Sequence, residues 1–91
     1  MPRLSELKRT VLSFARDAQK DTLLSEGFVP GNVSKAVGIS RELAESVVDE
    51  LTASKALKMN EIRMFDPDEG PILAYNYSIT FRGLLRLAIK V

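Results

Sequence analysis

Leu4, Leu7, Val11, Phe14, Ala15 and Ala18 recur at intervals of three and four residues, with polar side chains between them. A period near 3.6 puts these side chains on one face and predicts an amphipathic helix over residues 5–19. Arg9, Arg16 and Lys20 fall together on its other side, and Leu23 and Leu24 either extend the helix or pack in the loop after it. "EGFVPGN" breaks the pattern: Gly27 and Gly31 loosen the backbone, while Pro30 fixes φ and suits a helix's first turn. Phe28 and Val29 suit a very short strand. A short helix over residues 30–37 follows, with Val33, Ala36 and Val37 facing inward. Gly38 ends it where the chain must turn left-handed, and Ser40 is a good N-cap for a third helix running to about residue 54. Ala44, Val47, Val48 and Leu51 give that helix its i, i+3, i+4, i+7 stripe, widened by Leu43.

Past Leu57 the period shortens. "LKMNEIRMF" alternates without a clear buried face, "DPDEGP" is dense in turn residues, and "ILAYNYSI" is rich in β-branched and aromatic side chains. Two strands with a turn between them predict a hairpin over residues 57–79. Thr80 can cap a last helix, residues 80–90, with the stripe Phe81, Leu84, Leu85 and Ala88. The predicted order is helix, short strand, helix, helix, strand, strand, helix, an α+β arrangement in one domain.

Composition narrows the chemistry. The 91 residues suffice for one modest core. No apolar run approaches the roughly 18 to 20 residues of a membrane span, and "MPRLSELKRT" lacks the apolar stretch of a secretion signal. There is no cysteine, which fits a reducing cytoplasm, and no histidine, which removes the commonest general base and metal ligand together. The acids of "DPDEG" lack the spacing of a calcium loop and read as a polar hairpin turn. No glycine-rich phosphate loop occurs, and no serine or threonine has an evident base partner, so neither an enzyme nor a cofactor is expected. Tyr75 and Tyr77 alternate on a strand, where they pack on a core or stack on bases.

Three stretches together resemble the winged helix-turn-helix family of small bacterial and archaeal transcriptional regulators, and the likeness covers nearly the whole chain. "VSKAVGIS" has apolar positions around a tight turn at Gly38; "VVDELTASKALKM" looks like a third helix leading into a first wing strand; "YSITFRGLL" is similar to the close of the wing. The resemblance implies a helix-turn-helix over about residues 30–54, a wing over about 57–79, and a C-terminal helix over about 80–90. It also implies double-stranded DNA as partner. Arg41 then reads bases, Ser40 and Ser46 assist, and Lys35, Lys55, Lys58 and Arg63 hold phosphates. Ser34 sits where such turns usually carry alanine.

Charge distribution pulls the other way. The third helix sets Glu42, Glu45, Asp49 and Glu50 against the single Arg41, and the turn of the hairpin adds Asp66, Asp68 and Glu69. Affinity for a polyanion comes largely from neutralised phosphates, so acids at two contact points weaken it. A second expectation therefore keeps the same fold: an interaction module whose acidic third helix and wing tip bind a basic protein. Positive charge gathers instead on the last helix, at Arg82, Arg86 and Lys90, where Leu87, Ile89 and Val91 also spread apolar surface round the cylinder. A helix apolar on most sides asks for burial on most sides, so a homodimer through Phe81, Leu84, Leu85 and Ala88 is expected.

Overall fold

The structure is a computed structural model that describes residues 4–20 and 27–89. Leu23, Leu24, Lys90 and Val91 lie outside the described residues. In chain order the elements are α1 (Leu4–Ala18), α2 (Pro30–Val37), α3 (Arg41–Ala53), β1 (Leu57–Asp66), β2 (Gly70–Ile79) and α4 (Phe81–Ala88). Among the described residues the fold is α+β, with four helices around one core and a two-stranded antiparallel hairpin.

Local chemistry accounts for most boundaries. Pro30 occupies the first turn of α2, and the Asn32 side-chain oxygen accepts from the Val29 N–H at 2.9 Å. Gly38 closes α2 at φ 77°, a left-handed conformation that costs a side-chain-bearing residue. Its N–H donates to the Ser34 carbonyl at 3.0 Å, and the Ile39 N–H joins the same carbonyl at 3.3 Å. The Ser34 hydroxyl donates to the Ile39 carbonyl at 2.6 Å, so this serine ties the turn from both of its polar groups. Ser40 caps α3 by accepting from the Leu43 N–H at 3.1 Å. Thr80 caps α4 in the same way, accepting from the Gly83 N–H at 3.1 Å while donating to the Lys55 carbonyl at 2.6 Å.

The core joins Leu7, Val11, Leu12, Ala15 and Ala18 of α1 to Val33, the α3 stripe Ala44, Val47, Val48 and Leu51, and Ala56, Leu57 and Ile79 at the hairpin base. Phe28 lies at its centre, with the Phe14 ring edge-on at 5.4 Å. The very short strand is one bridge, Phe28 to Tyr77. Three positions differ from the expected faces. Leu12 is buried because α1 packs against α2, α3, α4 and β2, which requires a wider apolar arc than a single row. Leu4 opens that helix half exposed. Ala36 is exposed, since α2 meets the core through the arc holding Val33 and Val37, and Ala36 stands about 100° round the helix from Val37.

The last helix also turns differently. Its buried residue is Gly83, with Leu84 and Leu87 packed beside it. A Cβ at Gly83 would strike the Ala56 carbonyl oxygen and sit 2.7 Å from the Ile79 side chain, so only glycine allows α4 this close. Of the expected stripe, only Leu84 faces the core; Phe81, Leu85 and Ala88 are exposed. Arg9 of α1 holds the far end, donating to the carbonyls of Leu87 at 2.8 Å, Arg86 at 3.3 Å and Ile89 at 3.4 Å. A cation among the last carbonyls of a helix is favoured by both hydrogen bonding and the helix dipole.

Candidate functional site

α3 presents an outer row that no other described element covers: Ser40, Arg41, Glu42, Glu45, Ser46 and Asp49 are all exposed. This follows from its stripe, since four buried apolar residues on one arc send every polar residue to the other. The seven residues expected to touch DNA are likewise exposed, with Lys35 in the last turn of α2 and Lys55 in the turn after α3. Lys55 holds φ 69°, a left-handed conformation uncommon for a lysine.

The hairpin separates two of the expected cations. In the antiparallel register Leu57 faces Ile79, Met59 faces Tyr77, Glu61 faces Tyr75 and Arg63 faces Leu73. Successive side chains alternate between faces, so Arg63 shares a face with Tyr77 and the core side, whereas Lys58 points to the opposite face with Ser78. One flat ligand cannot meet both lysine and arginine from the same side of the hairpin. The buried face left open by the sequence is confined to the base: Leu57 and Ile79 are buried, while Met59, Met64, Phe65, Leu73 and Tyr75 are exposed.

Electrostatics along α3 divide the acids by role. Glu50 is paired with Lys8 of α1 at 3.2 Å and so belongs to the fold. Glu45 pairs with Arg41 one turn earlier at 3.4 Å, with both side chains more than half exposed. Glu42 and Asp49 have no ion pair among the described residues. Tyr77, reached across the gap from α3, has its pKa raised above the ordinary 10.0 by burial first, then by the charges of Asp49 and Glu45. Its ring packs toward Phe28 at 6.3 Å. Glu45 and Asp49 of α3 thus lie near enough to Tyr77 for their charges to add to the effect of its burial, a relation between two elements that single-element periodicity does not reveal.

Two of the basic residues outside this row serve the fold. Arg9 caps α4, and Arg86 donates to the Ser54 hydroxyl at 3.3 Å. The hairpin turn is organised by its first acid, with the Asp66 carboxylate accepting from the Asp68 N–H at 2.8 Å. Among the described residues no helix is long and apolar enough to cross a membrane. No known protein family, no curated protein and no solved structure matches this chain.

Proposed function

We propose that this chain is a winged helix-turn-helix protein that binds double-stranded DNA in the cytoplasm as a transcriptional regulator or accessory factor. The observation that carries the reading is the uncovered outer row of α3, held beside a projecting hairpin. A helix exposed along one side and rigidly seated along the other suits insertion into a major groove. Arg41 is the base reader in this scheme and must exchange Glu45 for a guanine edge. Ser40 and Ser46 flank it, and Lys35 and Lys55 hold phosphates. Lys58 and Arg63, on opposite hairpin faces, hold different strands or only one of them takes part.

A homodimer through α4 completes the reading. Phe81 is 76% exposed, Leu85 47% and Ile89 58%, spaced by four residues along one side, with Leu84 and Ala88 at the margin. A two-fold pair of helices covers this apolar row and presents two α3 helices at once.

The Arg41–Glu45 ion pair favours a second reading, in which the same face binds a basic protein. There the pair neutralises the one cation of the row, and Glu42 and Asp49 meet the partner's lysines and arginines. Glu45→Lys separates the two. It raises affinity for random duplex DNA under the first reading, whereas under the second it abolishes capture of a basic partner. Arg41→Ala lowers discrimination between DNA sequences under the first reading and leaves partner binding intact under the second. Duplex DNA that binds wild type and Glu45→Lys equally, at equal salt, removes α3 from the DNA interface.

A further inference from the structure

The two outer edges of the hairpin differ in kind. β1 carries Lys58, Glu61, Arg63 and Asp66, whereas β2 has no charged residue from Gly70 to Ile79. Charges on an edge strand deter pairing with a foreign strand, and β2 has none of that protection.

The direction of β2's free main-chain groups follows from its one bridge. The Tyr77 N–H donates to the Phe28 carbonyl at 2.7 Å, and the Phe28 N–H donates back at 2.8 Å, so the Tyr77 groups point away from β1. Alternation along an antiparallel strand then turns the main-chain groups of Tyr75 and Leu73 outward, and those of Asn76, Ala74 and Ile72 toward β1. At one end Tyr77 is already taken by Phe28; at the other Pro71 has no N–H to give. Among the described residues this leaves an unpaired edge from Ile72 to Asn76, symmetric about Ala74, whose outward-bonding residues are Leu73 and Tyr75.

We propose that this edge pairs with the same edge of a second copy, antiparallel about a two-fold axis through Ala74. Leu73 then exchanges both main-chain bonds with Tyr75 of the partner subunit, and Tyr75 does the same with Leu73 of the partner subunit. Ala74 faces its own counterpart in a non-hydrogen-bonded pair, where Cα atoms approach to about 4.5 Å and a small side chain fits best. Leu73 and Tyr75, 48% and 44% exposed, come side by side on one face of the joined sheet. A second copy suits this edge because self-pairing sets like charges against each other wherever a strand is charged, and here there are none. Pairing stops where it must, since Phe28 occupies the place beyond Asn76 and the incoming strand leaves the sheet at its proline. This surface is separate from α3 and from α4, and it stands whether α3 binds DNA or protein.

The native chain has no cysteine, so single-cysteine variants report the contact directly. Ala74→Cys should form a disulfide-linked dimer under mild oxidation at least about tenfold faster than Met64→Cys, because the axis brings the two thiols within bonding range. Met64 is the control, 51% exposed on β1. Adding Leu73→Lys and Tyr75→Lys should return the rate to the control level. Equal rates at Ala74 and Met64 overturn the proposal, as does fast cross-linking that survives the two lysines. Sedimentation of Leu85→Glu, with its α4 face blocked and β2 untouched, gives an independent answer. It should remain dimeric, and a monomer at about 200 µM overturns the proposal.

Discussion

Ser34 donates to the Ile39 carbonyl and accepts at its own carbonyl from Gly38 and Ile39, so it fixes the angle between α2 and α3. Ser34→Ala leaves a half-buried carbonyl unpaired and should cost about 1 kcal/mol in chemical denaturation, with Ser34→Thr recovering part of it. Thr80 acts similarly at α4, and Thr80→Val should cost about 1 kcal/mol while Thr80→Ser stays close to wild type. Tyr77 reports the nearby acids of α3. Its raised pKa means that the folded state holds the phenol proton more tightly than the unfolded chain does. The stability this contributes is fully present below pH 10.0, the ordinary value, and is lost as pH rises through the raised folded pKa. In a Tyr75→Phe background the remaining phenol is Tyr77. Its ultraviolet titration should move toward the ordinary value when Asp49→Asn removes the larger of the two neighbouring charges.

At the scale of elements, close packing at Gly83 and exposure on the far side of α4 make opposite predictions. Gly83→Ala drives a methyl group into the Ala56 carbonyl and should destabilise the fold by about 1–3 kcal/mol. Phe81→Asp and Leu85→Glu should change monomer stability by only about 0.5 kcal/mol, because neither side chain enters the core. Under the α4 dimer proposal, however, both remove the α4 contact and lower the sedimentation coefficient from that of wild type to that of the dimer joined through the β2 edge. These contrasts show what could be read in advance. Gly38, Ser40, Pro30 and Thr80 act on their own neighbours within three or four residues, so their roles were legible from sequence. The α3 stripe was legible too, because four apolar residues at helical spacing leave one consistent face. The rotation of α4 was not. Its cylinder is apolar on several sides, and the absent side chain of Gly83 decides which side approaches Ala56. Nor was the use of Arg9 as a cap, which joins residues 77 to 80 positions apart in the chain. The hairpin faces stayed ambiguous because its outer half is apolar on both, and only the base meets the core.

For the whole molecule, the described residues extend to 50 Å in one direction against 27 and 25 Å in the others. The helical body carries a structural net of capping bonds and the Lys8–Glu50 pair, while α3's outer row and much of the hairpin are exposed among the described residues. The expected DNA-contacting residues were legible as exposed positions. Their division between two hairpin faces follows from alternation along the strand, and Arg41 lies four residues from Glu45 on one helix, so both were open to a linear reading; which hairpin face meets the core was not. Under the proposed DNA-binding reading, shape permits entry to a groove and charge sets how strong the binding can be. The measurement that bears most directly on the proposed DNA binding is the salt dependence of affinity for a random duplex, followed by fluorescence anisotropy. With about three phosphates neutralised, the logarithm of the affinity should fall with the logarithm of salt at a slope near −3. Binding should start in the micromolar range near 50 mM and weaken by roughly fiftyfold at 200 mM. No binding at 50 mM salt with protein at about 100 µM would contradict the proposal and leave the acidic face to a basic protein partner.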